Sequence, residues 1–256
     1  MTHVTTAPRW RAWISTIGIL IAGLGIYLGS AIGMLALTKE PVLSMGVANL
    51  IVLGAILAWR SSKSGKQIIA QDRYPQQAFH THFWPLVGLG LVLSWLLGQS
   101  LALWLYDLLG SAGFDASTQT KADANPAVLI ITALLLAPMG EEALMRGLAY
   151  PLLRRHWRSP VGATLVTTAL FSLLHNNLVQ IVLTVPLGIL LAMVYEKTRS
   201  IWPCFGLHLG FNLFSTLTPP AAIEGLAAVP FILIATSATT MVLYMLHPSR
   251  KNSQEG

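Results

Sequence analysis

Cysteine is nearly absent from this chain. Cys204 stands alone, so neither an intrachain disulfide nor a cysteine-based metal site can form. It sits in an apolar stretch beside Pro203 and reads as a buried, inert thiol. Charge is almost as scarce. Asp, Glu, Lys and Arg make up 10% of 256 residues, against roughly 25% in soluble domains. Acidic residues are the rarest class, 10 against 16 Lys and Arg. Long polar segments are missing too. The longest connections, 60–82 and 110–126, are too polar and too short to hold a core of their own, which excludes a separate soluble domain. No internal repeat and no low-complexity tract is present. No basic stripe with interleaved aromatics is present either, so the net charge of +6 does not point to nucleic acid.

What the chain has instead is apolar length. Hydrophobic residues are 54% of it. A helix needs about 20 apolar residues to cross a bilayer. Eight candidates stand out: Ala12–Leu37, Val42–Trp59, Phe83–Leu109, Ala127–Leu153, Val161–His175, Leu178–Tyr195, Ile201–Leu217 and Gly225–Leu246. The expected fold is an all-α polytopic membrane protein, a single membrane domain over 1–256. The first stretch follows Arg9 and Arg11. At about 26 residues it exceeds the roughly 7–15-residue apolar region of a cleavable signal, so it reads as a retained span.

Basic residues set the orientation. With the N-terminus inside, the cytoplasmic segments carry Arg9, Arg11, Arg60, Lys63, Lys66, Arg73, Arg154, Arg155, Arg158, Lys197, Arg199, Arg250 and Lys251. The opposite side keeps Lys39 and Lys121, a ratio of 13 to 2, and both termini are expected in the cytoplasm. Trp10, Trp13, Trp59, Trp84, Trp157 and Trp202 fall at the same inner boundary, where indole rings prefer to lie. The cluster Arg154-Arg155-His156-Trp157-Arg158 is expected to touch anionic lipid headgroups. The expected location is a cell membrane of prokaryotic type, crossed several times.

Ionisable groups at membrane depth are costly, so their default reading is functional. Glu141, Glu142 and Arg146 lie within one apolar stretch. Glu142 and Arg146 are four apart, share a helix face and pair in the favoured order. Glu141 is rotated from Glu142 by about 100°, so it faces elsewhere. Glu142 would then be held ionised, and Glu141 left free for proton transfer. Pro138 removes a backbone donor just before the pair and opens the helix locally. The fifth stretch ends Phe171-Ser172-Leu173-Leu174-His175-Asn176-Asn177, with Phe171 one turn before His175. In the seventh, His208 and Asn212 share a face, and Gly206 and Gly210 would admit a neighbouring helix closely. His3, His80, His82, His156 and His247 lie in tails or loops and read as solvated. Two chemistries fit the set. Glu141, His175 and His208 could ligate a divalent metal such as zinc, leaving a position open for water. Without metal, Glu141 would take a proton from water while His208 and Asn212 stabilise an oxyanion.

Glu141-Glu142-x-x-x-Arg146, Phe171-x-x-x-His175 and His208-x-x-x-Asn212, in this order on three spans, resemble the CPBP family. These are the CAAX prenyl protease and bacteriocin-processing intramembrane proteases, also called abortive-infection-like. The resemblance covers roughly 127–217, and no motif position departs from the pattern. It implies an eight-helix intramembrane endopeptidase acting on a membrane-associated peptide or protein. By motif match, Glu141 is the general base and Glu142 its helper. His175 holds the water or metal, His208 and Asn212 bind the oxyanion or metal, and Arg146 organises the acidic pair. The eukaryotic members cut the last three residues from prenylated proteins, and no feature of this chain ties it to prenyl recognition. Two other classes use similar residues. A proton-coupled transporter would show paired broken helices in matching halves, and one break without a counterpart is present. A non-catalytic immunity or scaffold protein would not need a complete set of polar groups.

Overall fold

The computed structural model describes residues 9–70, 81–157, 159–223 and 225–246. The expectations attached to His3, Arg73, His80, Arg158, His247, Arg250 and Lys251 fall outside these residues. Every regular element among the described residues is helical. In chain order these are α1 (Arg9–Thr38), α2 (Pro41–Ser61), α3 (Lys63–Ala70), α4 (Phe83–Leu109), α5 (Ala112–Asp123), α6 (Pro126–Arg154), α7 (Pro160–Leu173), α8 (Leu178–Thr198), α9 (Ile201–Leu217) and α10 (Val229–Leu246). A short 3₁₀ turn, Pro220–Ile223, precedes α10.

The helix ends follow local chemistry. Pro41 and Pro126 open α2 and α6 at positions where a backbone donor has no helical partner anyway. The Asn125 side chain accepts from the Ala127 and Val128 N–H groups, capping α6. Between α7 and α8 the Asn-Asn turn does two jobs. Asn176 takes a left-handed backbone at φ 55°, and Asn177 Oδ1 caps α8 by accepting from Gln180 N at 2.9 Å.

A helix stands at each of the eight expected stretches, but the lengths differ from the expectation. Among the described residues six helices are long and apolar enough to cross a membrane: α1, α2, α4, α6, α8 and α10. α7 has 14 residues and α9 has 17. At 1.5 Å per residue these reach roughly 21 and 25 Å, short of a hydrocarbon core of about 30 Å. α7 stops at Leu173, so His175 lies in the turn beyond the helix.

The long helix α6 is not α-helical throughout. Thr132–Leu136 and Ala143–Ala149 are wound as π-helix, separated by the α-turns of Ala137–Glu142. Each wide segment is followed one residue later by a proline at the second position of the next α-turn, Pro138 and Pro151. The expected local opening at Pro138 is thus present, and a second one accompanies Pro151. π-turns of this kind recur at functional sites.

The chain divides into two compact units. The first, Met1–Tyr74 and Gln119–Thr167, holds α1, α2, α3 and α6. There α2 packs against α1 and along α6. Gly46 and Gly140 mark its closest approaches to α6, because a methyl group at Gly46 would meet the Thr132 hydroxyl, and one at Gly140 would meet Asn49. The second unit, Pro75–Thr118 and Thr168–Gly256, holds α4, α8, α9, α10 and the end of α7. There α4 is the central helix, contacting α8, α9 and α10. Gly98 lets α4 lie directly against the Leu183 carbonyl of α8, and Gly210 of α9 faces Leu91 of α4. Gly206 has nothing within 4 Å, so of the two glycines expected to admit a neighbour only Gly210 does.

The basic cluster after α6 is knitted inward more than its charge suggests. Arg154 is buried, and its guanidinium donates to the Trp157 carbonyl. Arg155 Nη2 donates to Thr16 Oγ1 of α1 at 2.6 Å, and His156 Nε2 lies 2.7 Å from the same oxygen. The Trp13 ring stacks on His156 at 3.9 Å. His156 therefore joins α1 to α6 and is not a solvated loop residue. The physical reason is that partly buried polar side chains need hydrogen-bond partners, and the Thr16 hydroxyl of α1 supplies one.

Candidate active site

In the first unit the acidic pair sits between the two π-turns of α6. Glu142 Oε1 and Arg146 Nη1 are 2.9 Å apart, with side-chain exposures of 1% and 0%. The four-residue spacing thus gives the ion pair expected from it. Burying two charges costs several kcal/mol each, and the direct contact offsets that cost. Glu141 is buried as well, at 7% exposure.

Around Gly140 and Glu141 stand two residues that reading the sequence missed. Asn49 of α2 is fully buried against Gly140. Its Nδ2 donates to the Met45 carbonyl at 2.9 Å, which fixes the amide, and its Oδ1 has no hydrogen-bond partner. Tyr27 of α1 is also buried, and its hydroxyl lies beside Asn49 within electrostatic reach of Glu141. The hydroxyl donates to the Met45 sulfur at 3.9 Å, a weak acceptor. The available signal in the sequence was a lone asparagine within an otherwise apolar span.

In the second unit the two imidazoles share one aromatic ring. Phe171, fully buried, meets His175 at 5.4 Å and 80°, and His208 at 5.4 Å and 88°. The contact between Phe171 and His175 was expected from their spacing. The contact with His208 was not, since it joins residues far apart in sequence. His175 Nδ1 lies 3.2 Å from the Phe171 carbonyl. A carbonyl only accepts, so Nδ1 carries a proton in this contact. His208 is buried at 3% exposure and Asn212 is half-buried one turn further along α9. The Thr168 and Ser172 hydroxyls flank Phe171 on α7, buried and without hydrogen-bond partners. Gly188 of α8 gives this part of α7 room, since a methyl group there would press on Thr168 and Phe171. Cys204 is buried, with Sγ 3.4 Å from the Leu191 carbonyl, as an inert thiol should be.

Metal chemistry can be weighed on this donor set. Within neither unit do three His, Cys, Asp or Glu side chains gather among the described residues. The second unit alone offers two imidazoles, one donor fewer than the usual three protein ligands of a catalytic zinc. The carbonyl-bound Nδ1 of His175 is nevertheless the usual support of a ligating imidazole.

Residues 123–214 match a family model described as type II CAAX prenyl endopeptidase Rce1-like. That stretch contains all six motif residues, from Glu141 to Asn212. A protein of Bacillus subtilis (strain 168) named "Putative membrane peptidase YdiL" is 26% identical over 138 residues, 50% of this chain and 56% of that protein. The chain thus spans little more than half the length of this relative. No solved structure matches.

Proposed function

We propose that this chain belongs to the CPBP/CAAX protease family, a reading supported by the match over residues 123–214, and that it is an intramembrane endopeptidase hydrolysing peptide bonds of a membrane-associated protein or peptide. The observation that carries the reading is that all six motif residues fall inside the matched stretch.

In this reading Glu141 takes a proton from water as the water oxygen attacks the peptide carbonyl carbon. His208 and Asn212 stabilise the oxyanion that forms. The proton held by Glu141 then passes to the amide nitrogen, the C–N bond breaks, and a carboxylic acid and an amine leave. Glu142 is engaged with Arg146, and the proton transfer falls to Glu141. His175 would help to hold the water. Where a divalent metal such as zinc takes part, Glu141, His175 and His208 would hold it, and it would supply Lewis-acid polarisation of the carbonyl. Substrate prenylation is not part of the proposal.

The test is cleavage of membrane peptides by purified protein in detergent. Glu141→Gln, His175→Ala and His208→Ala should each lower the rate by about 100-fold or more. Retained cleavage in Glu141→Gln and His175→Ala together would remove the assignment. A chelator arm separates the two chemistries. Loss of activity restored by zinc would assign the metal form, and unaffected cleavage would assign the glutamate form.

A further inference from the structure

Asn49 Oδ1 is a buried acceptor with nothing to accept. Its residue has 0% exposure, and leaving such a group unsatisfied costs about 1–3 kcal/mol. The amide cannot turn over without cost, because Nδ2 is committed to the Met45 carbonyl at 2.9 Å. Oδ1 is therefore aimed at Gly140, the residue before Glu141. A side chain at 140 would collide with Asn49, since a Cβ there would lie 2.7 Å from the Asn49 Cα. The Tyr27 hydroxyl lies beside the same amide, in hydrogen-bonding contact with the Asn49 side chain and donating to the weakly accepting Met45 sulfur. Three polar groups from three helices thus gather around Gly140: an acceptor amide oxygen, the Tyr27 hydroxyl, and Glu141, the next residue, whose charge acts on that hydroxyl.

We infer that Asn49 and Tyr27 are positioning residues that seat a water molecule on the Glu141 carboxylate. A water there donates one hydrogen to Asn49 Oδ1 and the other to Glu141, and accepts from the Tyr27 hydroxyl. Three hydrogen bonds are the usual number for a buried water. One lone pair stays free, so the seated molecule keeps its nucleophilic character. The seat also explains the glycine at 140, because any side chain there displaces the amide. The inference rests on the reading of Glu141 as general base. It adds two residues on α1 and α2, outside the stretch that matches the family.

Two measurements test it together. In a crystal structure resolving ordered waters, density should appear within about 3.2 Å of Asn49 Oδ1, Tyr27 Oη and a Glu141 carboxylate oxygen. In peptide cleavage, Asn49→Leu should lower kcat by about 10- to 100-fold with KM changed less than about twofold, because a water misplaced by an ångström slows attack without altering substrate binding. Tyr27→Phe, which keeps the ring and its packing, should act in the same direction. Asn49→Asp, which keeps an acceptor oxygen, should recover part of the loss. A role in folding alone would instead lower the amount of folded enzyme and leave kcat per folded molecule unchanged. Absence of the density overturns the inference, as does a kcat within about twofold of wild type in both Asn49→Leu and Tyr27→Phe. Failure of the peptidase reading looks different. The unaltered protein would then cut no peptide, and the water density alone would decide the seat.

Discussion

Arg146 shows no solvent exposure, and its guanidinium lies 2.9 Å from Glu142. Removing either charge strands the other in a medium that cannot solvate it. Arg146→Leu is therefore expected to destabilise the protein by about 3–5 kcal/mol, seen as a lower unfolding temperature in detergent. The double variant Arg146→Leu with Glu142→Leu should recover most of that loss, since an apolar pair of similar volume carries no desolvation cost. Additive losses in the two single changes would contradict the pairing. This contact was legible beforehand, because residues four apart on a helix meet whatever surrounds them. The same locality made the Phe171–His175 contact legible. The environment of Glu141 was not. Asn49 and Tyr27 come from other helices, and nothing in the spacing of Glu141 points to them.

α6 shows how an element departs from its sequence pattern. Pro151 has no N–H for the carbonyl four residues back, that of Gly147. Arg60, at the end of α2, donates to that carbonyl at 2.7 Å. By sequence Arg60 is one more positive residue at a cytoplasmic boundary; in the fold it repairs a helix broken by proline. Arg60→Ala should cost about 1–3 kcal/mol. Pro151→Ala, which restores an N–H, should reduce that cost in the double variant, as read from a thermal-unfolding cycle. Equal losses with and without Pro151 would show that Arg60 acts elsewhere. The prolines made an opening foreseeable, but the π-winding over Ala143–Ala149 was not. An extra residue in a turn survives where neighbouring side chains satisfy the displaced backbone, and those belong to another helix.

At the scale of the whole molecule, the two short helices carry the imidazole motifs. α7 and α9 cannot cover a full hydrocarbon layer, and irregular backbone such as the Asn176-Asn177 turn is tolerated at depth only when protein or water surrounds it. Six longer helices supply the crossing length. The charge bias predicts both termini inside, and single-cysteine labelling tests it. In intact cells a membrane-impermeant maleimide should label Lys39→Cys, and Arg11→Cys only after permeabilisation. Cys204 is buried and should stay unlabelled in both. The reverse pattern would invert the topology.

Read alone, the chain determined that it is helical, that it lies in a membrane, where its apolar helices fall, and which side chains meet along one helix. These follow from apolar length and from the 3.6-residue period, which act within one segment. Tertiary structure decided what stands next to Glu141, which ring joins the two histidines, and which cation closes the gap left by Pro151. Those contacts join residues of different helices, and a uniformly apolar helix carries no period to say which of its faces a neighbour will meet.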